Sequence, residues 1–413
     1  MAMSRLLCCF LLVIACQTHA QESTDRERVF AEYATLRTIA GLGEEEDANF
    51  WKDEFEGADA RTIELSNPHM TMADAAGNYY IADKESHSIL RVDPEGKVHT
   101  HAGTHEAGIN GDEGLATEML LNNPNGLFVH PNGVVFVLDF FNLRVCKVDL
   151  AGHLTTMFRD SAGFGPGRGL WVSRDETLVY FNGPSSVKRW TPGGGIETVV
   201  PSIADSGNLT VDPDGHLIVT SRGDHLVYRV GADGALTIIA GNGSDSEATE
   251  DGFAATEVGL ESARAVAFLP DGTFFIATQK GGDVWFVDRA GFIHKFIGGL
   301  RNGNVRSGDG DLFSTPGNKI SEPRAITLSP NGDLVITTND KGFIRVVERF
   351  QPPEFTWLLD QRLSITVTPG RSHLVETSND LRAWEIMKTL ERSERTMDLS
   401  VMTDESRFVR VRW

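Results

Sequence analysis

One phrase returns six times along the chain and limits what it can fold into. It runs as an apolar stretch, a turn rich in Gly, Asn and Asp, a second stretch, a polar turn, a third stretch, and a closing Asp and Gly. The clearest copies are NPHMTMADAAGNYYIADKESHSILRVDPEG at 67–96 and NPNGLFVHPNGVVFVLDFFNLRVCKVDLAG at 123–152. Weaker copies follow at 167–195, 206–234, 262–291 and 322–348. The turn phrases HPNG, DPDG, LPDG and SPNG fall at one point of their copies and suit tight hairpins. Each unit reads as three short strands, and most are followed by a fourth, such as LTIIAG at 236–241. Helical periodicity is largely absent. A repeat of this length is one supersecondary unit that buries its faces against its neighbours. Four antiparallel strands repeated around an axis make a propeller, which removes long free edges.

The sixth unit, PRAITLSPNGDLVITTNDKGFIRVVERF, lacks a fourth strand, whereas TLRTIAGLG at 35–43 looks like a fourth strand with no unit before it. The sequence therefore predicts an all-β, six-bladed propeller whose last blade is completed by the N-terminal strand. The phrases GDEGLATEMLLNNPNGLFV at 111–129, YIADKESHSILRVD at 80–93 and TIAG at 38–41 resemble the NHL-repeat family of six-bladed propellers. The resemblance covers residues 34–350. It implies the fold, and it leaves function open, because that family includes interaction scaffolds as well as lactonases and lyases.

The two ends read differently. Residues 1–20 carry Arg5 and then LLCCFLLVIAC, an apolar run of 11 residues, too short to span a bilayer. Two processing readings stand side by side: a signal peptide cut after Ala20, or a lipobox VIAC in which Cys16 becomes the lipidated N-terminus. Both predict export, to a periplasmic or extracellular site, with a linker over 21–33. Three of the four cysteines lie in this leader, so Cys146 is left as a small core residue with no intrachain disulfide partner. No other segment is long and apolar enough to be a transmembrane helix. Beyond FQPPEF, residues 351–413 alternate in RLSITVTP, SHLVETS and RFVRVRW. They resemble the small C-terminal β-module of some exported bacterial proteins and predict a sandwich-like accessory domain. The net charge of −20 argues against nucleic acid or an anionic membrane as partner.

Strand reversal assigns the connections to faces. The long links 42–66, 104–121, 242–260 and 299–321 belong to one face, where long loops on a rigid scaffold build a binding funnel. At the starts of the innermost strands stand His69, Asn125, Arg168, Asn208, Arg264 and Arg324. Three arginines converging on one mouth suit a carboxylate or sulfate held in bidentate fashion. The structural alternative is that they pair sideways with acidic residues of neighbouring blades. Asp83, Asp139, Asn182, Ser221, Thr278 and Thr338 end the second strands and form a ring slightly farther out. Asp83 and Asp139 are candidate ligands for a divalent cation, Ca²⁺ or Mg²⁺, or orienters of His69; equally, such residues cap the following turn. Trp51, with Phe50 and Phe55, and Phe140, with Phe141, are candidate stacking surfaces for a sugar or packing groups under the links. His99 and His101 share one side of an outer strand with no third ligand and read as solvated.

Three functions follow from these residues. The first is a binding propeller for an acidic saccharide or small carboxylate. The second is an enzyme in the same funnel, a uronate lyase in which Arg264 and Arg324 neutralise the carboxylate and His69 is the base. A lactonase of the gluconolactonase-like type is implied by the resemblance to use Glu, Asn and Asp at a metal; all six strand starts here lack Glu. Amidating-lyase-like propellers are implied to use several His, and His69 stands alone in this ring. The third is a scaffold that offers the loop-rich face to a protein partner.

Overall fold

The computed structural model describes residues 24–413 apart from 44–47, 166, 168, 249–250, 302–304, 339–341, 352, 358–362, 369–372, 379–381, 383, 392–395, 400–407 and 413. The leader 1–20 with Cys16, the first residues of the 21–33 linker, and Arg168 lie outside the described residues.

Hairpin chemistry drives the assembly of each sheet. In the first, Pro68–Ala73 pairs with Tyr79–Asp83, which pairs with Ser88–Val92, which pairs with Val98–Ala102, all antiparallel. The turn between the first two strands needs a left-handed residue, supplied by Gly77 at φ 85° and by Gly133, Gly215, Gly272 and Gly332 in four other sheets. The third sheet has no glycine there, and Glu176 takes φ 58° in its place. Among the described residues six antiparallel sheets of four or five strands form in this way. Two acquire a fifth strand from a long link: Glu113–Leu115 beside His153–Arg159, and Phe253–Ala254 beside Phe292–Ile297. In the sixth sheet the order is Tyr33–Ala40, Ile344–Arg349, Leu334–Thr337, Ala325–Leu328, so the strand that opens the described chain occupies the outer place.

The inner strands are Pro68–Ala73, Pro124–Val129, Leu170–Val172, Ser206–Val211, Ala263–Phe268 and Ala325–Leu328. Each packs beside the next in chain order, and the sixth packs beside the first. Hydroxyls join successive sheets at this level. Thr327 Oγ1 donates to Thr71 O at 2.7 Å, Thr337 Oγ1 to Thr71 Oγ1 at 3.0 Å, and Thr220 Oγ1 to Arg264 O at 2.8 Å. Between the sheets the alternate side chains form apolar clusters, for example Met70, Ala82, Leu127, Val137 and Cys146. Cys146 is fully buried there, and burial pushes its thiol up to about 12, which suits a core residue and not a nucleophile.

The chain divides into two compact units, 36–309 with 313–347, and 1–35 with 310–312 and 348–413. The second unit contains the helix Asp25–Ala31, started by a capping box between Thr24 and Glu27. It also contains two three-stranded sheets, Glu354–Trp357, Leu363–Thr366, Thr396–Leu399 and Glu385–Leu390, His373–Ser378, Phe408–Arg412. Ile365, Val375, Leu390, Val409 and Val411 form one core between them. Among the described residues no helix is long and apolar enough to cross a membrane.

Candidate functional site

The starts of the inner strands owe their geometry to a left-handed residue just before them. Asn67, Asn123, Asp205 and Ser262 have φ of 61°, 52°, 43° and 59°, and Glu322 has 39° two residues before Arg324. Asn and Asp tolerate this region; Ser262 and Glu322 store strain. After the turn the ladder slips by one residue, between Pro68 and Met70, Pro124 and Gly126, Ser206 and Leu209, and Ala263 and Ala265. Such bulges re-aim a side chain. His69, Asn125 and Arg264 occupy the slip, and Arg324 stands at the matching start of the sixth sheet, where its N–H donates to Thr337 O at 2.7 Å.

The fourth and third sheets depart from the sequence alignment by one residue. In the fourth, Ser206 lies opposite Ser221 and Leu209 opposite Val219, so the slip falls at Gly207 and Asn208 is one residue deeper. A Cβ at Gly207 would collide with Arg264 O and Thr220 Oγ1, so the close approach of the fifth sheet demands glycine there. In the third, Gly183 pairs with Ser186 as Asp83 pairs with Ser88, which moves Asn182 one residue from the strand end.

Charge is concentrated at this end. Arg264 is 2% exposed. Its Nη1 donates to Gln279 Oε1, a neutral partner, and no carboxylate among the described residues lies within ion-pair distance. Burial first, and Arg324 second, push the Arg264 guanidinium well below its ordinary range. Arg324 is also buried; its Nη1 donates to Asn67 Oδ1 at 3.1 Å and contacts His69 Nε2. Nε2 of His69 therefore accepts, which assigns the proton to Nδ1 when the ring is neutral. Burial, then Arg324 and Arg264, hold His69 well below the usual histidine range, so it is neutral at physiological pH. Two residues that the sequence reading did not single out complete the cluster. Arg222 Nη1 donates to the same Gln279 Oε1 at 3.3 Å, and its Nη2 pairs with Asp205. Arg222 and Gln279 each directly follow a second strand, after Ser221 and Thr278, and that spacing would have found them.

The ends of the second strands hold the links in place. Asp83 Oδ1 accepts from Ser66 N at 2.7 Å, and Asp139 Oδ1 from Asn122 N at 2.7 Å. Asp139 Oδ2 accepts from Asn142 Nδ2 at 2.8 Å and from buried Arg144 Nε at 2.7 Å. Among the described residues Asp83 has no such cation, and burial raises its carboxyl to about 7. Ser221 Oγ donates to Ala204 O at 2.5 Å, and Thr338 Oγ1 to Phe343 O at 2.8 Å. Thr278 Oγ1 donates to Glu247 Oε1 at 2.6 Å. Glu247 comes from the link 242–260 and also accepts from Trp285 Nε1 at 2.6 Å and from Glu261 N at 2.7 Å. Burial raises it to about 7 as well. No local pattern marks this residue; its partners are 14 to 38 positions away.

The rim aromatics pack. Trp51 stacks on His105 with ring centroids 4.0 Å apart and lies against the apolar cluster of the first sheet. Phe140 lies against the cluster beneath the second and third sheets, and Phe141 meets it edge-on while remaining 59% exposed. His99 bridges Glu56 and Asp93 at 2.9 Å each, and His101 packs edge-on against Tyr80. His101 is half-buried with its Nε2 inside, and burial lowers the ring to about 4.

No family model matches the chain. It is 23% identical to human Teneurin-1 over 374 residues, which is 82% of this chain and 13% of that protein. It is 24% identical to Teneurin-m of Drosophila melanogaster over 307 residues, 68% of this chain and 10% of that one. The chain thus spans about an eighth of the length of these curated relatives or less. A structural-genomics protein of unknown function from Bacteroides thetaiotaomicron superposes with a TM-score of 0.59 at 14% identity, covering 76% of this chain and 75% of the other. An auxiliary nutrient binding protein from Bacteroides ovatus gives 0.56 at 15% identity, over 76% and 77%. These likenesses carry a propeller-type fold.

Proposed function

We propose that the chain is an exported, NHL-type six-bladed propeller that binds a small anion, a carboxylate or acidic saccharide, at the starts of its inner strands. In this reading Tyr33–Ala40 completes the sixth blade, residues 34–350 form the propeller and 351–413 an accessory module. Arg264 carries the proposal: a guanidinium 2% exposed with a neutral amide as partner. Glu322 attracts the Arg264 charge without pairing with it at ion-pair distance, and a buried charge held only by a neutral amide is costly, so such a site suits the opposite charge. Arg222 and Arg324 flank it on the neighbouring fourth and sixth sheets, and Arg168 is the matching residue of the third unit by sequence count. Binding is favoured over a lyase by His69, which is neutral but whose Nε2 lone pair is already directed at Arg324. A cation at Asp83 and Asp139 has less support, since the Asp139 oxygens already serve Asn122, Asn142 and Arg144.

The test is a thermal-shift titration of the folded protein with galacturonate against galactose, repeated with Arg264→Met. Ligand binding raises stability by RT ln(1 + [L]/Kd), about 2.7 kcal/mol at a hundredfold excess over Kd. Galacturonate is expected to raise the transition and galactose to leave it in place, with the shift lost in the variant. A transition that no acidic compound moves, or a shift that survives Arg264→Met, would overturn the reading.

A further inference from the structure

At the other end of the inner strands the same register leaves a cavity of about 190 Å³. All six inner strands contribute to its wall. Its partly exposed mouth lies towards the hairpin turns and is formed by Met72, Phe128, Trp171, Thr210, Phe268 and Leu328. Phe128 and Trp171 meet edge to face there, with centroids 6.3 Å apart. No charged side chain lines the wall.

The inner end of the cavity is set by the one-residue shift of the fourth sheet. At the level of Met70 the other strands carry Gly126, Ala265 and Ala325, opposite Leu138, Ala277 and Thr337 as Met70 is opposite Ala82. Gly169 takes this place in the third sheet, where its carbonyl accepts from Asn182 N. Asn208 takes it in the fourth. It is therefore one of two sizeable side chains in a layer of glycines and alanines, and it lines the cavity. It is 4% exposed, and neither its amide oxygen nor its amide nitrogen has a hydrogen-bond partner among the described residues. Leaving such a group unsatisfied forfeits its hydration without replacement. An adjacent acceptor and donor in an apolar, aromatic-mouthed cavity is the recognition element for another amide edge.

We propose that this cavity binds a compact, uncharged apolar molecule bearing an amide, whose carbonyl accepts from Asn208 Nδ2 and whose N–H donates to Asn208 Oδ1. Size supports the class: a cavity of about 150 Å³ accommodates benzene, so this one takes a single ring with an amide substituent. The site is separate from the arginine-lined end, and its test does not depend on the anion reading.

Benzamide is the probe, with ethylbenzene as its apolar counterpart, titrated into the full chain by calorimetry. Methyl-labelled methionine spectra report Met70 and Met72 directly. Benzamide should bind saturably and shift both methyl signals. Asn208→Leu should weaken benzamide about tenfold, as expected for losing paired hydrogen bonds, while ethylbenzene changes less than about threefold. Trp171→Ala, at the partly exposed mouth, should weaken both and serves if the Asn208 variant does not fold. Absence of saturable binding with unmoved methionine signals would mean that water alone satisfies Asn208 and would overturn the proposal. So would benzamide affinity unchanged in both variants.

Discussion

Two fully or nearly fully buried arginines sit in different sheets, the second and the fifth, and have opposite surroundings. Arg144, on the third strand of the second sheet, donates to Asp139 Oδ2 at 2.7 Å, Gly111 O at 2.7 Å, Leu120 O at 3.0 Å and Thr156 Oγ1 at 3.2 Å. Arg264, at the start of the inner strand of the fifth sheet, meets Gln279 and faces the like charge of Arg324. Residue type and burial are the same; only the partner set differs. Arg144 closes a network that fixes the link 104–121 to its sheet, whereas Arg264 leaves charge over at a strand start. Burial alone therefore says nothing about role, and the count of satisfied donors does.

The sharpest way to break this contrast is to remove both cations by the same change. Arg144→Met strands the Asp139 carboxylate in the interior, and such a loss costs about 3–5 kcal/mol. Urea unfolding at pH 7 should show it as a lowered midpoint. A cost under about 1 kcal/mol would mean that Asp139 takes up a proton or water cheaply, and the network would not be structural.

Asp83 supplies the next test, because it holds the place of Asp139 without an arginine. Its carboxyl, raised to about 7 by burial, keeps its proton in the folded state at pH values where the unfolded chain has lost it. Between pH 4 and 7 the folded state thus binds more protons, and stability falls as pH rises, by about 1.4 kcal/mol for each unit that the pKa is displaced. Asp83→Asn still accepts from Ser66 N and does not titrate. The wild type should lose a few kcal/mol relative to this variant from pH 4 to 7.5, measured as the difference of unfolding free energies. A difference that is flat over this range would place a cation beside Asp83 after all. Glu247→Gln should behave with the same sign, since burial raises that carboxyl to about 7 too.

Arg264→Met comes third in size. Removing an uncompensated buried charge for an apolar side chain of similar length is neutral or stabilising, so the midpoint should move by less than about 1 kcal/mol in either direction. A loss as large as that of Arg144→Met would show that the strand-start cluster is structural and would remove the main support for anion binding.

The sequence made some of this visible and hid the rest for definable reasons. The three-strand unit was legible from its hairpin phrases, and the placement of Tyr33–Ala40 beside Ile344–Arg349 from a fourth strand missing at one end and supernumerary at the other. The common level of His69, Asn125 and Arg264 was legible by counting from the hairpin, because their strands slip at the same place, and Arg324 stands at the matching start of an unslipped strand. Counting failed at Asn208 and Asn182, where Gly207 and Gly183 take the slip and the strand end and shift the alternation by one. That shift depends on how closely a neighbouring sheet approaches, which a single strand does not encode. Glu247 was invisible for a related reason: it replaces, from a distant link, the carboxylate that Asp83 and Asp139 supply locally. The rim aromatics were ambiguous because stacking and packing select the same residues.

That ambiguity gives the smallest effect and the finest distinction. Phe141 is 59% exposed and touches Phe140 edge-on, whereas Trp51 is stacked on His105 and seated on an apolar cluster. Phe141→Ala should change stability by less than about 0.5 kcal/mol, the range of surface substitutions away from special features. Trp51→Ala should cost more, since it removes a stacked pair and the area it covers. If Phe141 served as a sugar platform, its loss would weaken a galacturonate-induced shift while leaving unfolding in buffer unchanged. If instead the anion is held by the arginines alone, the galacturonate shift of Phe141→Ala equals that of the wild type. Comparing the two titrations therefore separates a ligand recognised by its charge from one recognised by its ring, and the burial of Arg264 favours recognition by charge.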